Sequence, residues 1–362
     1  MNILNLNICN FRNYSNTTFD FSQNNNIIYG FNGEGKTNLL ESLYFLSLSK
    51  SFKNSKNSEL IKFNESNFFI ECNLVKKNRN YNIKINYDIS NKYDISINGV
   101  KYKSKNSILG LVKVVLFCPD DLYLVKDSPE VRRRFLNDTL IQFRPKYLKL
   151  LNDYNKYLKN KNYILKHLDE KPSLLDLLTD YNLKLAELSA EISFIRANFL
   201  KLLCDESSKI YSEIAQNENF NLKYITKLSD PSFSIDQNKY EYEKLLNMYK
   251  NKEISSRNCL IGIHKDDILF EINDINARSF ASQGQTRSIA LCLKLGVREL
   301  LIKDTGSIPI LLLDDVLSEL DEVRQNFILN KIKKGQIFIT SPIKSYENIQ
   351  GKFINIKNGD IL

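Results

Sequence analysis

The sequence predicts an α/β protein in which both ends of the chain build a sheet-rich part and a mainly helical lobe is inserted between them. Near the start of the chain apolar residues alternate with polar ones, and strand-like runs continue to about residue 127. From residue 128 onward apolar residues recur every three to four positions, which is the period of an amphipathic helix. Strand-like runs return in the last part of the chain. We therefore expect three parts, 1–127, 128–256 and 257–362, with the first and last forming one domain.

Strand candidates in the first part alternate in polarity or are bounded by turn residues. They are residues 4–8, 18–21, 26–29, 68–75, 81–89, 93–97 and 114–117. The dipeptide Asn98-Gly99 predicts a tight turn, so the strands around it are expected to form a meander. The run 114–117 is apolar at every position, which is typical of a strand buried on both faces.

Two long helices dominate the middle part. Apolar residues at helical spacing run from Leu140 to Leu158 and again from Leu185 to Leu203. Pro145 is expected to kink or restart the first helix. Because each helix must bury its apolar stripe, we interpret the two stripes as the seam of an antiparallel pair rather than as a partner site.

The remaining candidates are shorter. A strand at 222–225 and a helix at 240–249 complete the inserted lobe, and the last part holds sheet-like runs at 261–270, 308–313, 336–340 and 353–356. Asn358-Gly359 predicts that the final run closes as a hairpin.

The clearest chemical motif follows the strand candidate 26–29 and precedes a helical pattern at 38–48. It consists of a glycine, four free positions and Gly-Lys-Thr: Gly30, Phe31, Asn32, Gly33, Glu34, Gly35, Lys36, Thr37, followed by Asn38. Such a loop turns backbone N–H groups toward phosphate oxygens, while the lysine reaches the β- and γ-phosphates and the threonine holds Mg²⁺. The competing interpretation is a glycine turn before a helix. The strand–loop–helix context favours the nucleotide site.

A second candidate motif is the apolar run 308–313, which ends in Asp314-Asp315. In P-loop NTPases a strand of this kind delivers a carboxylate to the Mg²⁺ beside the phosphate loop. The alternative is a buried strand that ends in two solvated aspartates.

A third motif, Ser282-Gln283-Gly284-Gln285, stands at the start of a helical pattern that continues to Leu300. A serine and a glycine at a helix N-terminus can bind an anion. About 30 residues later the acidic pair appears, and Ser318-Glu319-Leu320-Asp321 follows it. In this order the segments resemble the signature motif and D-loop of ABC-type ATPases. The resemblance implies an ATP-dependent head-to-tail dimer in which the signature of one protomer caps the nucleotide of the other.

Within that group the chain resembles the RecF family of bacterial recombination mediators, which is related to the structural-maintenance-of-chromosomes ATPases. The motifs that carry the resemblance run nearly from end to end: 10–14, 30–38, 51–52, 117–122, 132–136, 264–267, 282–285 and 311–321. The family usually shows Gly-Pro-His-Arg-Asp-Asp where this chain has Gly262-Ile263-His264-Lys265-Asp266-Asp267. Because lysine cannot make a planar bidentate contact, the sequence does not decide the geometry of this loop.

The resemblance implies the fold of an ABC-type P-loop ATPase head with an inserted mainly helical lobe, and it implies roles for individual residues. Lys36 and Thr37 bind phosphate and Mg²⁺, Asp314 is the metal carboxylate, and Asp315 orients or deprotonates the attacking water. The other implied site residues are Asp120 as a further metal contact, Arg12 in the nucleotide site, and Ser282, Gly284 and Gln285, which act on the partner's γ-phosphate.

The resemblance also implies the activity. Most ABC-type ATPases carry Glu at the position of Asp315, and the shorter aspartate favours slow hydrolysis. We expect a slow, DNA-dependent ATPase that dimerises on ATP, binds duplex DNA next to a single-strand gap and helps to load recombinase in replication and recombinational repair. The implied partners are RecR and RecO.

Composition is consistent with this hypothesis without deciding it. The chain carries 51 Lys plus Arg against 42 Asp plus Glu, a net charge of +9, which suits a polyanion such as DNA. The chain is also rich in Asn, Lys and Ile, so compositional bias is an equally good account of the surplus. The six cysteines form no C-x-x-C pair, and no apolar stretch is long enough to span a bilayer. We expect buried thiols and a cytoplasmic protein without membrane contact.

Two other classes of function compete with this interpretation. A nuclease-associated ATPase of the overcoming-lysogenization type, or a chromosome-maintenance head, would need an acidic metal cluster or a long coiled coil. A small-molecule P-loop kinase would have no use for Ser282. The absence of histidine at Thr340-Ser341, where transporter ATPases carry one, disfavours a transporter.

Overall fold

A computed structural model describes residues 1–53, 55–90, 92–343 and 350–362. Its strands are β1 (Asn2–Phe11), β2 (Tyr14–Asp20), β3 (Asn25–Tyr29), β4 (Asn67–Lys76), β5 (Arg79–Asp88), β6 (Tyr93–Ile97), β7 (Val100–Tyr102), β8 (Val114–Phe117), β9 (Phe220–Ile225), β10 (Asp267–Ile272), β11 (Ile275–Asn276), β12 (Ile310–Leu313), β13 (Ile337–Ser341), β14 (Lys352–Lys357) and β15 (Asp360–Ile361).

The helices are α1 (Lys36–Leu48), α2 (Pro129–Phe143), α3 (Lys146–His167), α4 (Leu177–Ile214), α5 (Ile235–Ser256), α6 (Ala277–Phe280), α7 (Gln283–Thr305) and α8 (Glu322–Lys331). No helix in the described ranges is both long and apolar enough to cross a membrane.

The described chain divides into two compact units, 1–123 with 284–362, and 124–283. We call the first the head unit and the second the helical unit. The first boundary lies at 123 rather than at the predicted 127. The second lies at 283 rather than at the predicted 256, because β10 pairs antiparallel with β9 in a three-stranded sheet of the helical unit. Residues 257–283 therefore do not contribute a strand to the sheets of the head unit.

The head unit contains two six-stranded sheets. One is antiparallel in the order β2-β1-β4-β5-β6-β7, and it includes the predicted meander with Asn98-Gly99 between its last two strands. The other has the order β15-β14-β3-β13-β12-β8 and is parallel from β14 to β8. The inner strands β12 and β13 and the edge strand β8 are buried at every residue, as expected for a sheet covered on both faces.

The parallel sheet determines where the candidate site forms. Because β13 lies between β3 and β12, the carboxyl ends of these strands meet at one edge. The phosphate loop follows β3, the acidic pair follows β12, and the segment 118–121 follows β8 at the same edge.

In the helical unit the predicted helix pair is confirmed. Pro145 stands between α2 and α3, as expected for a proline that restarts a helix. Arg196 of α4 donates to Tyr147 near the start of α3, whereas Asn160 farther along α3 approaches Tyr181 near the start of α4. The two helices therefore run antiparallel.

Candidate nucleotide site

The phosphate loop adopts the backbone that its glycines predict. Gly30 has φ 151° and Gly35 has φ 120°, a region that side chains rarely tolerate. A Cβ at Gly30 would lie 2.2 Å from the carbonyl oxygen of Ile356, and a Cβ at Gly35 would lie 2.7 Å from Nδ2 of Asn13. Both positions therefore require glycine.

Lys36 begins α1 and folds back across the loop. Its buried ammonium group donates to the carbonyl oxygens of Gly30 at 2.8 Å and Phe31 at 3.0 Å. A cavity of about 340 Å³ opens beside it, lined by Asn32, Gly33, Gly35, Lys36, Thr37, Asn38, Lys53 and Asp315. Backbone N–H groups of a glycine loop, a helix N-terminus and an ammonium group are the features that bind phosphate oxygens.

The acidic pair at the end of β12 lies against this loop. Thr37 donates its hydroxyl to Oδ1 of Asp314 at 2.9 Å, and Thr340 approaches the same oxygen at 3.0 Å. Thr340 Oγ1 also accepts from the backbone N–H of Asp315 at 2.8 Å. Burial raises the pKa of Asp314, and the hydrogen bonds from the two threonines oppose that rise.

Asp315 differs from its neighbour. Its backbone is left-handed with φ 51°, and the buried atom Oδ1 has no hydrogen-bond partner among the described residues. A buried carboxylate oxygen without a partner is costly unless a ligand or water completes it. Since Asp315 also lines the cavity, a ligand or water in the cavity is placed to supply that partner.

The donor set fits Mg²⁺ bound together with a nucleotide. A threonine hydroxyl and one carboxylate, with substrate phosphates and water for the remaining positions, are the ligands Mg²⁺ commonly takes. Within the described ranges no group of three or more His, Cys, Asp or Glu residues could hold a metal without such help. Thr37 and Asp314 are the residues that would hold the ion.

Residues outside the motif brace the loop. Asn13 donates from Nδ2 to the carbonyl of Glu34 at 2.9 Å and accepts from Asn38 at 2.9 Å. Tyr14 donates to the carbonyl of Gly35 at 2.9 Å, and burial raises the pKa of its hydroxyl. The backbone N–H of Gly359 also donates to Glu34 O at 3.0 Å. The sequence offered a signal for Asn13 and Tyr14, which belong to the motif at 10–14, but their role required the structure.

Arg12 does not line the cavity, although the resemblance implied a nucleotide contact for it. Its guanidinium makes two 2.8 Å hydrogen bonds to the carboxylate of Glu41 on α1 and another to Ser55 Oγ. Glu41 also accepts from Ser51. This network holds Ser51 and Ser55, which flank Lys53 in the sequence, and Lys53 lines the cavity. The nucleotide contact of Arg12 therefore remains a prediction, and sequence reasoning missed Lys53.

The signature residues lie at the start of α7. Ser282 is exposed directly before the helix, and neither it nor Gly284 nor Gln285 lines the cavity. Arg324 of α8 donates to Ser288 Oγ at 2.9 Å and also to Asp321, the last residue of the predicted D-loop. Its Nη2 would lie 3.1 Å from a Cβ at Gly284. Sequence reasoning had no signal for this contact between the D-loop and the signature helix.

Asp120 lies in the turn Pro119–Tyr123 after β8, at the sheet edge that carries Asp314. Its neighbour Asp121 is engaged by the protein: Lys294 of α7 lies 2.6 Å from one carboxylate oxygen, and the backbone N–H of Cys118 donates to the other at 2.9 Å. Asp120 itself does not line the cavity. Its metal contact remains a prediction.

The motif at 262–267 lies in the helical unit, where it forms a polar core. Asp267 accepts two hydrogen bonds from Arg132, at 2.6 and 2.8 Å, and buried Asp266 pairs with Arg196 at 3.5 Å. Arg132 thus makes a planar bidentate contact with Asp267, while Lys265 is exposed and Ile263 is buried. The departures at 263 and 265 leave these ion pairs in place.

The thiols are less uniformly buried than expected. No disulfide joins the six cysteines, all of which lie in the described ranges, and Cys9, Cys118 and Cys204 are partly exposed.

Comparison with known proteins completes this picture. A family model described as the RecF/RecN/SMC N terminal domain matches residues 2–358. The DNA replication and repair protein RecF of Acetivibrio thermocellus is 38% identical over 346 residues, 94% of this chain and 93% of that protein. The protein of the same name from Clostridium kluyveri is 40% identical over 336 residues, 92% of this chain and 91% of that protein. The chain belongs to the RecF family.

Solved structures of the RecF family agree with the fold. The recombination mediator protein RecF of the RecFOR pathway, as RecF-ATPrS, matches with a TM-score of 0.94 and 34% identity over 99% of this chain and 97% of that chain. The RecF-ATP form matches with a TM-score of 0.89 over 100% of this chain and 97% of that chain. A Pyrococcus furiosus Smc head, at a TM-score of 0.57 and 15% identity over 99% of this chain and 95% of that chain, shares the fold alone. The α/β ATPase-head fold is thus confirmed.

Proposed function

We propose that this chain is a slow, DNA-dependent ATPase that dimerises on ATP and binds duplex DNA next to single-strand gaps. In this role it helps to load recombinase during replication and recombinational repair, with RecR and RecO as partners. The proposal is supported by membership of the RecF family and by the RecF-ATP form of a similar protein. The observation that carries it is the 2.9 Å contact of Thr37 with Asp314 beside a cavity of about 340 Å³ that the phosphate loop lines.

Each site residue of the head unit then has a chemical role. The loop from Gly30 to Asn38 holds the phosphates of ATP, with Lys36 exchanging its carbonyl contacts for phosphate oxygens. Thr37 and Asp314 hold Mg²⁺, which supplies charge neutralisation on the phosphates when bound. Asp315, with an unpartnered Oδ1, orients the attacking water and accepts its proton.

The remaining predicted residues act around this centre. Asp120 contacts the metal site from the neighbouring strand end. Ser282, Gly284 and Gln285, at the exposed start of α7, bind the γ-phosphate held by a second copy of the chain. Arg12 acts through its contacts with Glu41 and Ser55, which position the segment that carries Lys53.

The test compares Lys36→Ala, Asp314→Asn and Asp315→Asn with the unmutated protein in ATP binding and in ATP hydrolysis with and without duplex DNA. Lys36→Ala should lose ATP binding, and Asp314→Asn should weaken Mg²⁺-dependent binding. Asp315→Asn should bind ATP normally and turn over at least about 100-fold more slowly, since a general base contributes that much or more. Hydrolysis at the unmutated rate by both aspartate variants would contradict the assignment.

A further inference from the structure

Helix α3 carries a charge distribution that the rest of the helical unit does not share. Over its 22 residues it contains six lysines and one aspartate, a net charge of +5. Helix α5 is also 22 residues long but carries four lysines and four acids, a net charge of zero. Because the two helices belong to one chain with one compositional bias, lysine richness alone does not account for the difference. Much of the protein's surplus charge of +9 is located on α3.

Most of the positive charge of α3 lies on one face. Four exposed lysines are spaced by seven, three and seven positions, so they lie on the same side of the helix. With two exposed neighbours they form what we call the lysine face: Lys149, Asn152, Lys156, Lys159, Tyr163 and Lys166.

Three other charges complete α3: Lys146 is exposed at the first residue of the helix, and the remaining two are engaged by other helices. Lys161 is buried and pairs with Glu253 of α5 at 2.6 Å. Asp153 is partly buried beside the lysine face and interacts with Lys184 of α4. The next acids along the chain, Asp169 and Glu170, lie beyond the last residue of the helix. The exposed part of the lysine face therefore contains no carboxylate.

The four lysines of this face have no ion-pair partner in the described part of the chain. An exposed helix is normally stabilised by acids three or four positions from its lysines, and like charges at those spacings are destabilising. Lys239 and Glu243 of α5 show such an opposite-charge pair. Asp153 stands at such a spacing from Lys149 and Lys156, but it interacts with Lys184 instead. Four lysines without an ion pair are the arrangement that an anionic polymer can complete.

We propose that the lysine face binds the phosphate backbone of duplex DNA. The inference rests on the proposed function and adds to it a location for the DNA contact. From Lys149 to Lys166 the face spans 17 residues, or about 25 Å at the helical rise, which corresponds to about seven base pairs. The amide of Asn152 and the hydroxyl of Tyr163 add hydrogen-bond donors for phosphate oxygens without reading the base sequence.

The test is a salt titration of duplex binding, measured by fluorescence anisotropy with ATP and Mg²⁺. One variant replaces Lys149, Lys156, Lys159 and Lys166 with Gln, and a matched control replaces Lys239, Lys244, Lys250 and Lys252 of α5 with Gln. Each removes four positive charges from a helix of equal length. The slope of log K against log salt should fall by about 3 to 4 in the lysine-face variant and stay unchanged in the control, because each lost phosphate contact lowers it by about 0.9.

Two further measurements keep the result decisive. The ATPase rate without DNA should be the same in both variants, because neither set of lysines touches the nucleotide cavity. The double variant Lys156→Gln with Lys159→Gln should show about half of the slope change. An unchanged slope in the four-lysine variant, or an equal loss in the control, overturns the inference. Failure of the unmutated protein to bind duplex DNA at all would instead contradict the proposed function.

Discussion

The carboxylates of Asp314 and Asp315, which are neighbours in the chain, differ in the hydrogen bonds that hold them. Asp314 Oδ1 lies within hydrogen-bond distance of Thr37 and Thr340, so its orientation is fixed before any ligand binds. Asp315 is held through its backbone: its N–H donates to Thr340 and its carbonyl accepts from Ser318, so the left-handed turn orients its side chain. This difference is what allows one carboxylate to hold a metal and the next to orient water.

At the same scale His264 is held neutral in the helical unit. Its Nε2 donates to the carbonyl of Cys259 at 3.1 Å, and its Nδ1 accepts from Tyr154 at 2.6 Å. Burial lowers the pKa of His264 to about 4. The unfolded chain takes up this proton near pH 6.5, so acid favours unfolding.

We expect the free energy of unfolding to fall by about 3 kcal/mol between pH 6.5 and pH 4 through His264, because the proton binds the unfolded form first. This stability is complete above pH 6.5 and is lost as the pH falls toward 4. Urea denaturation of the unmutated protein and of His264→Gln measures it. Burial raises the pKa of Asp266, an effect of opposite sign, so the difference between the two proteins is the relevant quantity. Parallel pH profiles would contradict the prediction.

Among the elements, α7 is the helix that connects the parts of the head unit. Its first turns contact Arg324 of α8 through Ser288. Farther along, Lys294 lies 2.6 Å from Asp121 and donates to the carbonyl of Leu116 at 2.9 Å, at the end of β8. A displacement of α7 would therefore be transmitted to the turn that carries Asp120.

We expect Lys294→Met to lower the free energy of unfolding by about 2 kcal/mol, because Asp121 would keep a largely buried charge without its partner. The coupling between Lys294→Met and Asp121→Asn in a double-mutant cycle measures the pair. The control is the pair formed by Arg287 of the same helix and Glu319 of the turn Val316–Glu319. Its charged atoms are 3.7 Å apart and more exposed, so its coupling should stay below about 1 kcal/mol. Equal coupling in the two cycles would show that the Lys294 contact does not hold the turn.

For the whole molecule, the proposed ATPase cycle depends on association of two copies. Ser282 is exposed, and the cavity beside Lys36 is lined by residues of the head unit without it. A ligand that binds the dimer better than the monomer must shift the population toward dimer. A side chain that contacts ATP only across the dimer should change that shift without changing ATP binding to the monomer.

We therefore expect Ser282→Arg to bind ATP with near-normal affinity and to remain monomeric. The arginine side chain would fill the space in which the start of α7 approaches the nucleotide of the second copy. Light scattering with and without ATP measures the mass. Ser173→Arg, which changes another exposed serine of the helical unit, should double in mass with ATP as the unmutated protein does. If the mass of the Ser282→Arg protein doubled with ATP, a composite site made by two copies would be excluded. If the unmutated protein were dimeric without nucleotide, dimerisation would not depend on ATP.

Taken by itself, the sequence determined the chemistry that depends on spacing along the chain. Glycines at 30 and 35 with Lys36 and Thr37 define a phosphate loop, because the contacts of such a loop are made by its own backbone and the first turn of its helix. The change of period near residue 128 likewise located the long helices, whose hydrogen bonds are local.

Only the tertiary structure decided which distant residues meet. The insertion of β13 between β3 and β12 brings Thr340 to Asp314, and Arg132 finds Asp267 across 135 residues. Strand order also moved residues 257–283 out of the head unit, because β10 pairs with β9. Periodicity shows that a helix has two faces, but packing decides which one meets solvent, so the lysine face of α3 became visible only in the folded chain.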